Sequence, residues 1–70
     1  MTGEENALEA AVAALRDAQA AVYAARRAVT AAMVAAYLGG ETVARIAKRT
    51  GYEVIEVRNV LAAAQVTRSR

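Results

Sequence analysis

The side chains of this chain that can do chemistry are mostly cationic or amide-bearing, and they crowd into its last 30 residues: Arg45, Lys48, Arg49, Arg58, Asn59, Arg68 and Arg70. Such groups hold anions and grip hydrogen-bond acceptors. The chain has no cysteine and no histidine, which removes a thiolate nucleophile, an imidazole base, the ordinary zinc ligands and any disulfide framework. No enzymatic activity, metal or cofactor is therefore expected. Residues 1–40 carry four acids and three arginines, net −1, whereas residues 41–70 carry three acids and six bases, net +3. The formal charge of +2 conceals that asymmetry.

Two short helices position the cationic cluster. Thr42 is a good N-cap, Val43, Ile46 and Ala47 form one apolar face, and Thr50-Gly51 ends the first of them. The second runs from about Glu53 to Gln65, with Val57, Val60, Leu61 and Ala64 as its buried face. Glu53 and Glu56 suit its N-cap and third position, where the helix dipole favours carboxylates. Counted from Gly51, apolar residues fall at −8 (Val43), −5 (Ile46), +1 (Tyr52), +6 (Val57) and +9 (Val60), with the small Ala47 at −4.

Over residues 42–62 this spacing resembles the helix-turn-helix of bacterial DNA-binding proteins, in which a glycine makes the turn and a small residue lets the helices cross closely. Within that group, Ile46-Ala47 followed by Thr50-Gly51 and then by Val57-Arg58-Asn59-Val60-Leu61 is similar to AsnC-type and related small-regulator domains. The overall plan resembles small helix-turn-helix nucleoid-associated proteins of actinobacteria. The resemblance implies a recognition helix starting at Glu53. Arg58 and Asn59 are then the expected base contacts, since an arginine fork grips guanine O6 and N7 and an asparagine amide grips adenine N6 and N7. Val54 and Ile55 are placed to touch a thymine methyl, and Glu56 to accept from a cytosine amino group. Thr42, Arg45, Lys48 and Arg49, with the tail residues Arg68 and Arg70, are the expected contacts to the DNA backbone. Recognition helices of this kind commonly begin with serine or threonine. Here Glu53 and Glu56 set two carboxylates where phosphates approach, which keeps open a motif turned over to protein binding.

The remaining element is long. From Gly3 to Leu38 there is no proline or internal glycine, and strong helix formers dominate, so one helix is expected, opened by Thr2 and Glu5 at capping-box spacing and closed by Gly39-Gly40. Leu8, Val12, Leu15, Val22, Val29 and Met33 follow a heptad rhythm that Gln19 and Arg26 complete with polar residues. Half of the 40 hydrophobic residues are alanine, which buries little surface, and a 70-residue domain without metal or disulfides often needs a partner subunit. Leu8, Val12, Leu15, Gln19, Val22 and Arg26 are the expected homodimer interface. The C-terminal part, with Val29, Met33, Val34, Tyr37 and Leu38, must cover the two-helix motif, while Tyr23, Tyr37 and Tyr52 are expected in core or interface.

The expectation is thus an all-α chain of three helices: a scaffold over 1–40, a helix-turn-helix over 41–66 and a basic tail over 67–70. It would act as a homodimer on double-stranded DNA, as a nucleoid-associated protein or a small transcription regulator, phage regulators and antitoxins included. The rival is a protein-interaction module. No small-molecule effector is expected, because the helices consume nearly the whole chain. The longest uncharged run, Ala28 to Gly40, has 13 residues against the roughly 20 a spanning helix requires, and Glu4 and Glu5 do not suit an export signal. A cytoplasmic, nucleoid location is the corresponding expectation, without a membrane partner.

Overall fold

The computed structural model describes residues 2–66, without the side chains of Thr2 and Glu5. The expected Thr2–Glu5 capping pair and the tail residues Arg68 and Arg70 lie outside the described residues. Three helices make up the fold: α1 (Thr2–Leu38), α2 (Val43–Thr50) and α3 (Val54–Ala63), with no strand among the described residues. The all-α, three-helix architecture is as the sequence predicts. At 1.5 Å per residue, α1 is about 55 Å long. It sets the 66 Å long axis of a molecule only 20 by 16 Å across.

Each helix end has an identifiable cause. α1 stops where Gly40 takes φ 110°, which lets the Gly40 N–H reach the Tyr37 carbonyl at 3.0 Å and the Glu41 N–H reach the Ala36 carbonyl at 3.0 Å. This double bond pattern satisfies carbonyls that the helix leaves open. Thr42 caps α2, its hydroxyl accepting from the Arg45 N–H at 3.1 Å. α3 ends with the same bond pattern as α1: Gln65 N–H to Ala62 at 2.9 Å and Val66 N–H to Leu61 at 3.1 Å.

Five side chains are buried: Met33 from α1, Ile46 and Ala47 from α2, and Val57 and Leu61 from α3, with Val57 fully enclosed. Val34, Ala36, Tyr37, Val43, Val60 and Val66 pack around them half-buried. The described side chains from Gly3 to Val29 are all exposed, so most of α1 projects from the packed end.

Several sequence expectations are corrected. α3 closes at Ala63 rather than Gln65, because Gln65 adopts φ 57° and swings Val66 back against the core. Ala64 therefore lies exposed instead of on the buried face. Leu38 is exposed at the last turn of α1, and Tyr52 sits outside the buried cluster. Met33 leaves the heptad stripe for the core, since α1 meets α2 and α3 on that side.

Because Leu61 is 5% exposed and Ile55 on the same helix is 58% exposed, the two separate packing from surface. Leu61→Ala is expected to lower unfolding free energy by about 3 kcal/mol in a urea titration. Ile55→Ala should stay within about 0.5 kcal/mol of the parent.

Candidate functional site

The α2–α3 turn is held by backbone conformation and one hydroxyl. Gly51 takes φ 79°, a region open to glycine at little cost, and its N–H closes α2 on the Ala47 carbonyl at 2.9 Å. The Thr50 hydroxyl donates to the Ile46 carbonyl at 2.8 Å and accepts from the Tyr52 N–H at 3.2 Å, tying the turn to the last turn of α2. Glu53 is the N-cap of α3, and the Glu56 carboxylate reaches back to its N–H at 2.8 Å in a capping box. The Thr50-Gly51 and Glu53/Glu56 pairs thus fix the angle at which α3 leaves α2. With Val57 and Leu61 turned to the core, α3 exposes Val54, Ile55, Glu56, Arg58, Asn59 and Ala62.

A shallow groove between the two helices is lined by Ala47, Lys48, Tyr52, Glu53, Val54, Ile55 and Arg58. It brings together Lys48 from α2 and Arg58, Val54 and Ile55 from α3, four of the residues singled out from the sequence. Tyr52 joins them there, its ring contributing to the groove rather than to the core. Asn59 is exposed on the next position of α3 but outside the groove lining. Glu56 is engaged in its capping bond, which ties up one of the acceptor oxygens it would offer to a base edge.

Among the described residues the cations of α2 and α3 divide between two places, with Lys48 and Arg58 lining the groove. Arg45 and Arg49 converge instead on Glu41, at the α1–α2 junction. Arg45 Nε lies 3.6 Å from Glu41 Oε1, and Arg49 Nη1 pairs with Glu41 Oε2. The Glu41 side chain is 25% exposed while Arg45 and Arg49 are 70% and 60% exposed, so a half-buried carboxylate holds two guanidiniums at the surface. Lys48 and Arg58 have no ion pair among the described residues. Glu41 was missed by sequence reasoning, which assigned it no role. Its spacing of four residues to Arg45 is a visible helical-pair signal, whereas the eight-residue reach to Arg49 needs the turn after Gly40.

The expected interface residues Leu8, Val12, Leu15 and Val22 are exposed along α1, as are Gln19 and Arg26. Arg27, beside Arg26, lies over the Tyr23 ring at 5.9 Å to its centre. Among the described residues no group of three carboxylates could hold a metal ion, and no helix is long and apolar enough to cross a membrane. No family model matches the chain, and no curated protein or solved structure matches it either. The resemblance to helix-turn-helix regulators rests on the residues of the motif alone.

Exposed ion pairs contribute little to stability, so Glu41→Gln is expected to change unfolding free energy by less than about 1 kcal/mol. It releases two guanidiniums, and elution from a heparin column should move to higher salt. Unchanged elution would show that Glu41 does not compete with polyanions for Arg45 and Arg49.

Proposed function

We propose that the chain is a homodimeric double-stranded-DNA-binding protein, of the nucleoid-associated or small transcription-regulator kind, that presents α3 to the major groove. The observation that carries this proposal is the two-sided use of α3: Val57 and Leu61 complete the core, while Val54, Ile55, Arg58 and Asn59 face outward beside Lys48. A helix held from behind, with polar and apolar side chains together in front, matches what base-edge contact requires. In this proposal Arg58 and Asn59 address a neighbouring guanine and adenine, and Val54 or Ile55 a thymine methyl. Lys48 binds phosphate directly. Arg45 and Arg49 do so by exchanging Glu41 for the DNA backbone. No effector or membrane takes part, and the protein works on the nucleoid in the cytoplasm.

One observation favours a second assignment. Ile55 and Val54 are exposed apolar side chains on one groove, and Glu41 offsets two of the cations, a combination that suits a protein partner. Light scattering with and without duplex DNA separates the two, since only the first predicts a mass increase with DNA.

Three phosphate-binding cations per subunit, Arg45, Lys48 and Arg49, give six per dimer, and at about −0.9 each the slope of log affinity against log salt is near −5. Retention of Arg45 and Arg49 by Glu41 makes it shallower, and Glu41→Gln steepens it again. Arg58→Ala should flatten preference among duplexes, whereas Lys48→Ala should weaken all of them alike. A slope near zero sinks the proposal.

A further inference from the structure

The outer part of α1 has an unpartnered apolar stripe. Leu8, Val12, Leu15, Val22 and Val29 lie along it, with Leu8 at 67% exposed. At its inner end Val29, Ala32, Met33 and Ala36 meet Ile46 to line a groove of about 220 Å³ between α1 and α2. The stripe therefore runs from the outer part of the helix to the core, interrupted by Gln19 and Arg26. Among the described residues nothing packs against this length of helix, whose described side chains from Gly3 to Val29 are exposed.

Charge and the two polar positions decide what covers the stripe. Glu4, Glu9 and Asp17 lie in the outer half of α1, against a single Arg16, and from Ala18 to Leu38 the only charged residues are Arg26 and Arg27. Two copies laid parallel bring acid to acid and base to base, and stack the seam residue Arg26 on its own counterpart. Laid antiparallel, Glu4 and Glu9 of each copy meet the basic half of the other, while Asp17, near the midpoint, lies beside its own counterpart. With Val12 beside Val22 of the partner subunit, Gln19 falls opposite Leu15 and Arg26 opposite Leu8, next to Glu9. The arginine stem then packs on the leucine while its guanidinium meets the carboxylate.

We propose that the stripe of α1 is covered by a second copy of this chain running antiparallel, in the register that sets Val12 beside Val22 of the partner subunit. This rests on the homodimer in the functional proposal and adds its orientation. The midpoint of the pair falls near Asp17, so at 1.5 Å per residue the two α2–α3 motifs stand about 50 Å apart at opposite ends of a rod. Successive major grooves of one duplex are about 34 Å apart. The pair is spaced for two separate duplex segments rather than for adjacent turns of one.

The chain lacks cysteine, so introduced thiols report proximity without background. Val12→Cys and Val22→Cys are purified separately, with helicity checked by circular dichroism, and oxidised alone and as an equimolar mixture without DNA. Covalent dimer is expected in the mixture and not with either variant alone. Independently, Arg26→Glu should weaken self-association in light scattering, and adding Glu9→Arg to the same chain should restore it. Cross-linking of either variant with itself, a monomeric parent protein, or no restoration by Glu9→Arg overturns the proposal. Neither measurement involves DNA, so its failure and that of duplex binding are told apart.

Discussion

Met33, Ile46, Ala47, Val57 and Leu61 must hold three helices together, and one of the five is an alanine. Burial on this scale is small against the chain entropy that folding opposes. The packed end compensates by leaving few helix termini unanswered. Gly40, Thr42, Gly51, the Glu53/Glu56 pair and Gln65 each occupy a cap or closing position. Since α2 has only eight residues and α3 ten, their caps cover a large share of each helix. The narrow core also dictates which side of α3 is available to solvent, because Val57 and Leu61 turn inward with Val60 half-buried beside them.

Much of this was legible in the sequence. Gly39-Gly40, Thr42 and Thr50-Gly51 mark helix ends through local rules, and the α2 boundaries follow from them directly. The inward residues Ile46, Ala47 and Val57 follow from spacing around the turn glycine, and Leu61 from the apolar face of the second helix. Legibility fails where the deciding interaction is not local. Gln65 at φ 57° is a conformation that sequence rules assign to glycine or asparagine, so those rules run α3 two residues past its end at Ala63. Tyr52 fits the apolar spacing of the motif, yet it lies 37% exposed in the α2–α3 groove, outside the buried cluster. The pairing of Arg49 with Glu41 depends on a fold-back that no periodicity encodes.

Electrostatics at the packed end is divided rather than summed. A count of charges over residues 41–70 suggests one basic surface. In three dimensions Lys48 and Arg58 share the α2–α3 groove, while Arg45 and Arg49 share a carboxylate on the side facing α1. In the proposed function, a DNA backbone would meet the first pair at once and the second only after displacing Glu41. Attraction is graded by position, and this favours a fixed approach direction over indiscriminate adhesion.

The uninterrupted α1 makes length a countable property of this protein. Each residue added to an α-helix advances the chain by about 1.5 Å and turns everything beyond it by about 100°. An insertion of one residue before Met33 would swing the motif around the rod axis, whereas seven residues would lengthen the rod by about 10 Å and return the motif to nearly the same bearing. Spacing along α1 can therefore drift only in steps close to whole turns, such as about 7, 11 or 18 residues, if the orientation of α3 is to persist. The helix serves as a ruler whose graduations are set by its own pitch.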